Sequence, residues 1–382
     1  MFLIDIINIT PEQVWGLFPR LLGLVFLIAF SQLFPQMYAL GGENGINPIS
    51  DKLKAIKSDF PGLKKYILFP GVQWLGSKNI HLTFYALAGC LCSAYIIVGG
   101  PYTSIAFLLC WFLYLSFDLV AGLSYPWDSL LLEAGFLCVF LPSLNFIGDN
   151  FLISELPHPA ISFLIRLLLF RVIFGFGKFK FIGSSLHDIG YFKAFLTNIP
   201  LGTRLTLWVN QFPLKFFYVF SIITFLVEIV SPFFIFIPNE LRLIPFFSII
   251  LLMIGIQVLS NFGFFNLLTI VCCIPLLDIH SSIFDLNSTY IIGTTHNLLL
   301  FIVALILFIF GMVNLPFNTW CSFTWPYWPS ALQLKGAVPK FLVSSIRFFS
   351  KLRISHSYGV FPKKAGPPFK PVLLIKGSND GI

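Results

Sequence analysis

Apolar residues in this chain run in blocks of about 20 separated by short polar breaks, the length at which a helix crosses a hydrocarbon core of about 30 Å. The blocks lie near residues 19–40, 80–98, 101–121, 128–148, 159–177, 214–237, 242–259, 262–279 and 295–314. The eighth is short and contains Pro275. The pattern therefore predicts an all-α fold, a polytopic integral membrane bundle of eight to nine transmembrane helices. The N-terminus, MFLIDIINITPEQVW, has no basic stretch ahead of its apolar block, so the first block reads as a retained span and not a cleaved leader.

Three segments break the pattern. Residues 41–78 mix Asp51, Lys52, Lys54, Lys57, Asp59, Lys64 and Lys65 with Leu53, Ile56, Phe60, Leu63 and Ile67, which reads either as an amphipathic helix at the membrane interface or as a solvated loop. Residues 178–212 form a long polar connection, of a length that often carries function. Beyond about 320 come the aromatic cluster Trp320, Trp325, Tyr327 and Trp328, then a basic tail ending PVLLIKGSNDGI. That ending reads as one strand and a turn, and a lone strand is not stable. The expected organisation is a transmembrane helical domain over 1–318, with loops at 41–78 and 178–212. Residues 319–382 would be a basic tail and the start of a truncated soluble C-terminal domain.

Composition points to the same solvent. The chain is 57% hydrophobic and 10% charged, with 47 Phe among its 382 residues and a mean hydropathy of +0.88; soluble domains carry roughly a quarter charged residues. The net charge is +8, and in a nine-span arrangement 19 of the 24 Lys and Arg fall on one side. The positive-inside rule then places the N-terminus outside and the tail in the cytoplasm. An eight-span chain would move the tail away from the two basic loops. With no helix-turn-helix or aromatic RNA-binding motif, the basic excess is assigned to anionic membrane lipid and not to nucleic acid.

Candidate chemistry is sparse. Cys90, Cys92, Cys110, Cys138, Cys272, Cys273 and Cys321 form no CxxC, and the six histidines, at 81, 158, 187, 280, 296 and 356, include no pair at ligand spacing. The cysteines read as small packing residues, and neither a metal site nor a cofactor is expected. No GxSxG, phosphate loop or nearby Cys–His arrangement marks an ordinary hydrolase or nucleotide enzyme.

Charges inside the apolar blocks carry the most information, because each costs a few kcal/mol at the bilayer centre and usually faces a partner. They are Asp118, Asp128, Glu133, Arg166, Arg171, Lys178, Lys180, Glu228 and Asp278. Glu133 and Arg171 are the most deeply placed opposite charges on sequence-adjacent helices and are expected to face each other, either as a functional site or to fix helix register. Asp128 follows Pro126 and Trp127, where a carboxylate caps a first turn. Arg171 and Lys178 are two helical turns apart on one face, a cationic stripe suited to a lipid headgroup, a quinone oxygen or a partner's carboxylate. Lys178 and Lys180 can also snorkel. The functional candidates are thus Asp128, Glu133, Arg171, Lys178, Lys180 and Glu228, with none assigned as catalytic.

Five stretches, YPWDSLLLEAGF (125–136), LLLFRVIFGFGKFKF (167–181), YFKAFLTNIPLGTRLTLWVNQFP (191–213), FLVEIVSPFFIFIPNELR (225–242) and SNFGFFNLLTIVCCIPLLD (260–278), resemble the lipase maturation factor family in that order. ISHSYGVF (354–361) and PVLLIKGSNDG (371–381) look like the start of that family's C-terminal domain. The resemblance implies a chaperone-like, non-catalytic membrane factor that helps secreted lipases reach their active state. It further implies a lipase client and residence in the endoplasmic reticulum membrane, or the inner (plasma) membrane of a bacterium. NIPLGT departs from the family's NQPLPT-like stretch. FGFGKFKF is also similar to a helix of vitamin K-dependent carboxylases, which would make Lys178 or Lys180 a base on a lipid-soluble cofactor. Transport is a third reading, with no inverted repeat to support it.

Overall fold

The computed structural model describes residues 9–121, 125–148, 150–181, 192–193, 196–197, 199, 202–281, 295–314 and 348–358. The aromatic cluster at 320–328 and the 371–382 ending lie outside the described residues, as does the side chain of Lys180.

The elements in chain order are α1 (Pro11–Leu40), α2 (Ile49–Asp59), α3 (Lys64–Leu68), α4 (Asn79–Val98), α5 (Thr103–Ala121), α6 (Pro126–Cys138), α7 (Pro159–Phe181), α8 (Arg204–Val209), α9 (Leu214–Phe225), α10 (Leu243–Leu259), α11 (Phe265–Cys273) and α12 (Thr295–Asn314). Among the described residues there is no strand, only two isolated bridges, Gly100 with Leu144 and Gly202 with Ser260. Six helices among those residues are long and apolar enough to cross a membrane: Pro11–Gly41, Asn79–Val98, Thr103–Ala121, Pro159–Lys178, Leu214–Phe236 and Glu240–Leu259. Phe265–Leu277 and Asn297–Val313 are shorter apolar helices.

Two expected spans are corrected. The block at 128–148 is a helix only to Cys138. Pro142 cannot extend a helical ladder, and the chain beyond it instead folds onto the start of α5, with Gly100 N–H donating to Leu144 O at 2.9 Å and Ser143 Oγ to Pro101 O at 2.8 Å. The block at 262–279 is α11 followed by a 3-10 turn, Ile274–Leu277, with Pro275 at its start; proline is tolerated there because the first helical N–H groups have no partner to lose.

Helix α1 begins with Thr10 and Gln13 in a reciprocal capping box and Pro11 in the first turn. It packs along α4 and against α5, α6 and α11. A Cβ on Gly89 would overlap the Phe30 ring; the absent side chain is what lets α4 approach. Phe30 then meets Tyr114 of α5 edge-on at 5.4 Å. Helix α7 is flanked by α6, α11 and α12 and by the end of α9, and its residues 161–178 are almost all buried. Past Phe225 the α9 helix widens into a π turn, Leu226–Val230, and then tightens into a 3-10 turn, Ser231–Phe236, with Pro232 at the change. The missing proline N–H explains the break in the ladder.

The outer faces of α9, α10 and α12 expose Ile223, Leu251 and Leu299, among other large apolar side chains. Water would drive such a surface to aggregate, whereas hydrocarbon accepts it without cost.

Candidate functional site

The polar groups buried in the bundle form clusters at its two ends. At the end that carries residues 41–78, Arg171 of α7 meets Glu133 of α6, with Nη1 2.5 Å from Oε1 and both side chains about 5% exposed or less. The second carboxylate oxygen accepts from the Tyr358 hydroxyl at 2.8 Å and from the His356 backbone N–H at 3.1 Å. The guanidinium also donates to the His356 carbonyl and lies 5.7 Å from the centre of the Tyr358 ring. Residues 354–358 thus thread into the bundle and close both halves of the pair. A Cβ on Gly175 would lie 2.6 Å from the Tyr358 carbonyl oxygen, so glycine at 175 makes room for that backbone.

The same segment supplies a second ion pair, Arg353 Nε to Asp118 Oδ2 at 2.8 Å. Arg353 adopts a left-handed backbone, φ 54°, uncommon without glycine. Its ion pair and its bond to the Ser350 carbonyl at 3.2 Å hold it there. His356 is fully buried, and its ring is pushed well below the ordinary histidine range, first by burial and then by the Arg353 and Arg171 cations. It is neutral.

Asp128 sits in the first turn of α6. One oxygen accepts from the Tyr125 backbone at 3.2 Å and the other from the Tyr114 hydroxyl at 2.7 Å. It caps α6 and ties it to α5. Lys178 and Glu228 are both buried. A Cβ on Gly177 would lie 2.8 Å from Glu228 Cβ, which puts the π turn against the α7 stretch that carries Lys178.

At the opposite end the hub is Asp278. Its Oδ2 accepts from Arg166 of α7 at 2.8 Å, from the Trp15 indole of α1 at 2.9 Å and from the Ser281 hydroxyl. Its carbonyl accepts from Arg242 at 2.6 Å, so one residue joins α1, α7, α10 and the end of α11. Nearby, Arg20 donates to the carbonyls of Ile97 and Phe151, at 2.5 and 2.8 Å, and to that of Asn145. It satisfies the end of α4 and the loop after α6 together.

The structure therefore brings Glu133 and Arg171 together, gives Asp128 separate partners, and leaves the Lys180 side chain outside the described residues. Sequence reasoning passed over Arg20, Trp15, Arg353, His356 and Tyr358. Arg20, an intramembrane cation, was findable by the rule that selected the others. Tyr358 carried no such signal. No group of His, Cys, Asp or Glu that could hold a metal ion occurs among the described residues.

Among the described residues, six spanning-length apolar helices with charged pairs turned inward define a multi-pass α-helical membrane protein. The chain belongs to the lipase maturation factor family. The family described as lipase maturation factor transmembrane domain matches residues 14–283, a range that holds Asp278, Arg166, Glu133 and Arg171 and stops short of Arg353. Lipase maturation factor 2 of Xenopus laevis is 32% identical over 285 residues, covering 69% of this chain and 38% of that protein. Lipase maturation factor 1 of Mus musculus is 28% identical over 273 residues, covering 68% and 46%. Lipase maturation factor 2 of Homo sapiens is 32% identical over 287 residues, covering 70% and 40%. The matched region spans less than half the length of each of these relatives. No solved structure matches.

Proposed function

We propose that this chain is the membrane-embedded part of a factor that brings a secreted lipase to its active state, acting as a chaperone-like scaffold and not as a catalyst. The family match over residues 14–283 carries the reading. The buried charges support a scaffold: Arg166–Asp278, Glu133–Arg171 and Asp118–Arg353 each join separate elements and each is closed by further hydrogen bonds, an arrangement that fixes helix register. Docking of residues 354–358 onto α6 and α7 fixes the position of Tyr358 on the bundle. On this reading residues 1–318, together with the docked residues 350–358, anchor and orient, and the chain beyond them meets the client, in the endoplasmic reticulum of a eukaryote or at the plasma membrane of a bacterium.

The test is a chimera in which residues 1–358, which keep the bundle and its docked segment together, replace the corresponding region of a curated relative, expressed in cells lacking their own factor. Secreted lipase activity per mass of lipase should return, and Lys178→Ala should leave that activity intact once corrected for chimera abundance. A well-inserted chimera that leaves the lipase inactive would overturn the proposal. Loss of rescue confined to the Lys178 variant would favour the lipid-cofactor enzyme instead.

A further inference from the structure

Between α1 and α4 the chain stays at one end of the bundle. The ends of these two spanning helices are tied by reciprocal bonds: Glu43 N–H donates to Asn79 Oδ1 at 3.0 Å, and Asn79 N–H donates to Glu43 Oε2 at 3.2 Å. The intervening segment is fixed to the bundle. Ile49 and Leu53 are buried, Val72 N–H donates to Ser116 Oγ of α5 at 3.1 Å, and Lys52 Nζ reaches the Ala121 carbonyl at 3.4 Å. Because it begins and ends on spanning helices, it lies at the depth where a bilayer's hydrocarbon gives way to headgroups.

At that depth the segment carries large apolar side chains that are exposed among the described residues. Leu63 is 75% exposed and Ile67 59%, with Tyr66 beside them on α3. Lysines neighbour them along the chain. Lys57 and Lys64 are exposed and have no ion-pair partner among the described residues, while Lys54 is paired with Asp51 at the surface. Lys65 leans over the Tyr66 and Trp74 rings, at 4.9 and 5.9 Å from their centres. Apolar tips flanked by lysine ammonium groups match the two layers of an interface, acyl chain below and phosphate above. A water-facing loop would have no use for Leu63 and Ile67 in this arrangement.

We propose that residues 54–67 form an interfacial foot that inserts Leu63 and Ile67 among acyl chains and holds anionic phospholipid headgroups with Lys57, Lys64 and Lys65. The occupant is lipid of the surrounding leaflet. The positive charge of the foot selects anionic headgroups, and its continuity with two spanning helices places it in the bilayer surface.

The full chain is placed in nanodiscs of equal phosphatidylcholine and phosphatidylserine with a photoreactive diazirine residue at position 63, 67 or 251. Leu251, exposed on α10, reports the bulk lipid. Adducts at 63 and 67 should be lipid, with phosphatidylserine favoured over phosphatidylcholine on the order of fivefold for each lysine engaged; position 251 should give a ratio near unity. K57E with K64E, both exposed and so tolerated by the fold, should bring positions 63 and 67 to that same ratio while lipid adducts persist. Equal ratios at 63, 67 and 251 in the unaltered chain overturn the headgroup assignment. Adducts to water alone, or to a second copy of the chain, overturn the foot itself.

Discussion

Arg171 and Glu133 meet at 2.5 Å, buried between α7 and α6, and the groups that complete them, the His356 backbone and the Tyr358 hydroxyl, come from a segment more than 180 residues further along the chain. The pair is therefore both a helix clamp and a receptor for the chain beyond the spans.

Removing one member of this pair leaves an uncompensated charge. Glu133→Ala or Arg171→Ala alone should cost about 3–5 kcal/mol, and the double variant less than the sum of the two. Unfolding of all three proteins in detergent measures this. Strictly additive losses would mean that the two groups do not interact.

Docking of residues 354–358 has its own handle. Gly175→Ala puts a methyl group in the space of the Tyr358 carbonyl, and Tyr358→Phe removes one donor to Glu133, worth about 1–3 kcal/mol. Both should increase proteolysis between 348 and 358 without unfolding the spanning helices. Unchanged protection in both variants would contradict the docked arrangement.

Acid should loosen the same segment. His356 is held neutral in the fold and titrates near its ordinary value once released. The released state therefore binds more protons, and docking is lost as pH falls below about 6.5. Proteolysis of residues 348–358 should rise between neutral pH and about pH 5, and less steeply in His356→Gln. An equally steep rise in that variant would assign the effect to another group.

At the other end, Trp15→Phe should destabilise by about 1–3 kcal/mol through its lost bond to Asp278. In an Asp278→Asn background the same change should cost less, because the charged acceptor is gone. A double-mutant cycle reads the difference; zero coupling would mean that the indole bond contributes nothing.

Contacts between distant segments place residues 351–353 beside the 41–78 segment and the end of α5. Lys351 lies 5.6 Å from the centre of the Phe69 ring, and Arg353 pairs with Asp118 at the end of α5. Cysteines introduced at Lys57 and Phe348 should therefore react with an impermeant maleimide from the same side of the membrane, above the background of the unaltered chain. Labelling from opposite sides would refute this arrangement.

The solvent of this protein was legible in the residues alone, since uninterrupted apolar blocks dissolve only in hydrocarbon. Glu133 and Arg171 were legible as partners for the same reason: charges that water does not solvate must find each other. Helix length was not. The 128–148 block is apolar enough for a span, but its helix ends at Cys138, because Pro142 interrupts the ladder and the backbone after it finds hydrogen bonds on α5. Nor could the sequence show that Asp278 gathers Trp15, Arg166 and Arg242, or that Arg353 and Tyr358 return to Asp118 and Glu133. Local pattern decides which groups need a partner, because desolvation acts on each residue where it stands. Which partner each receives is decided by the packing of helices far apart in the chain, and only the tertiary structure contains that.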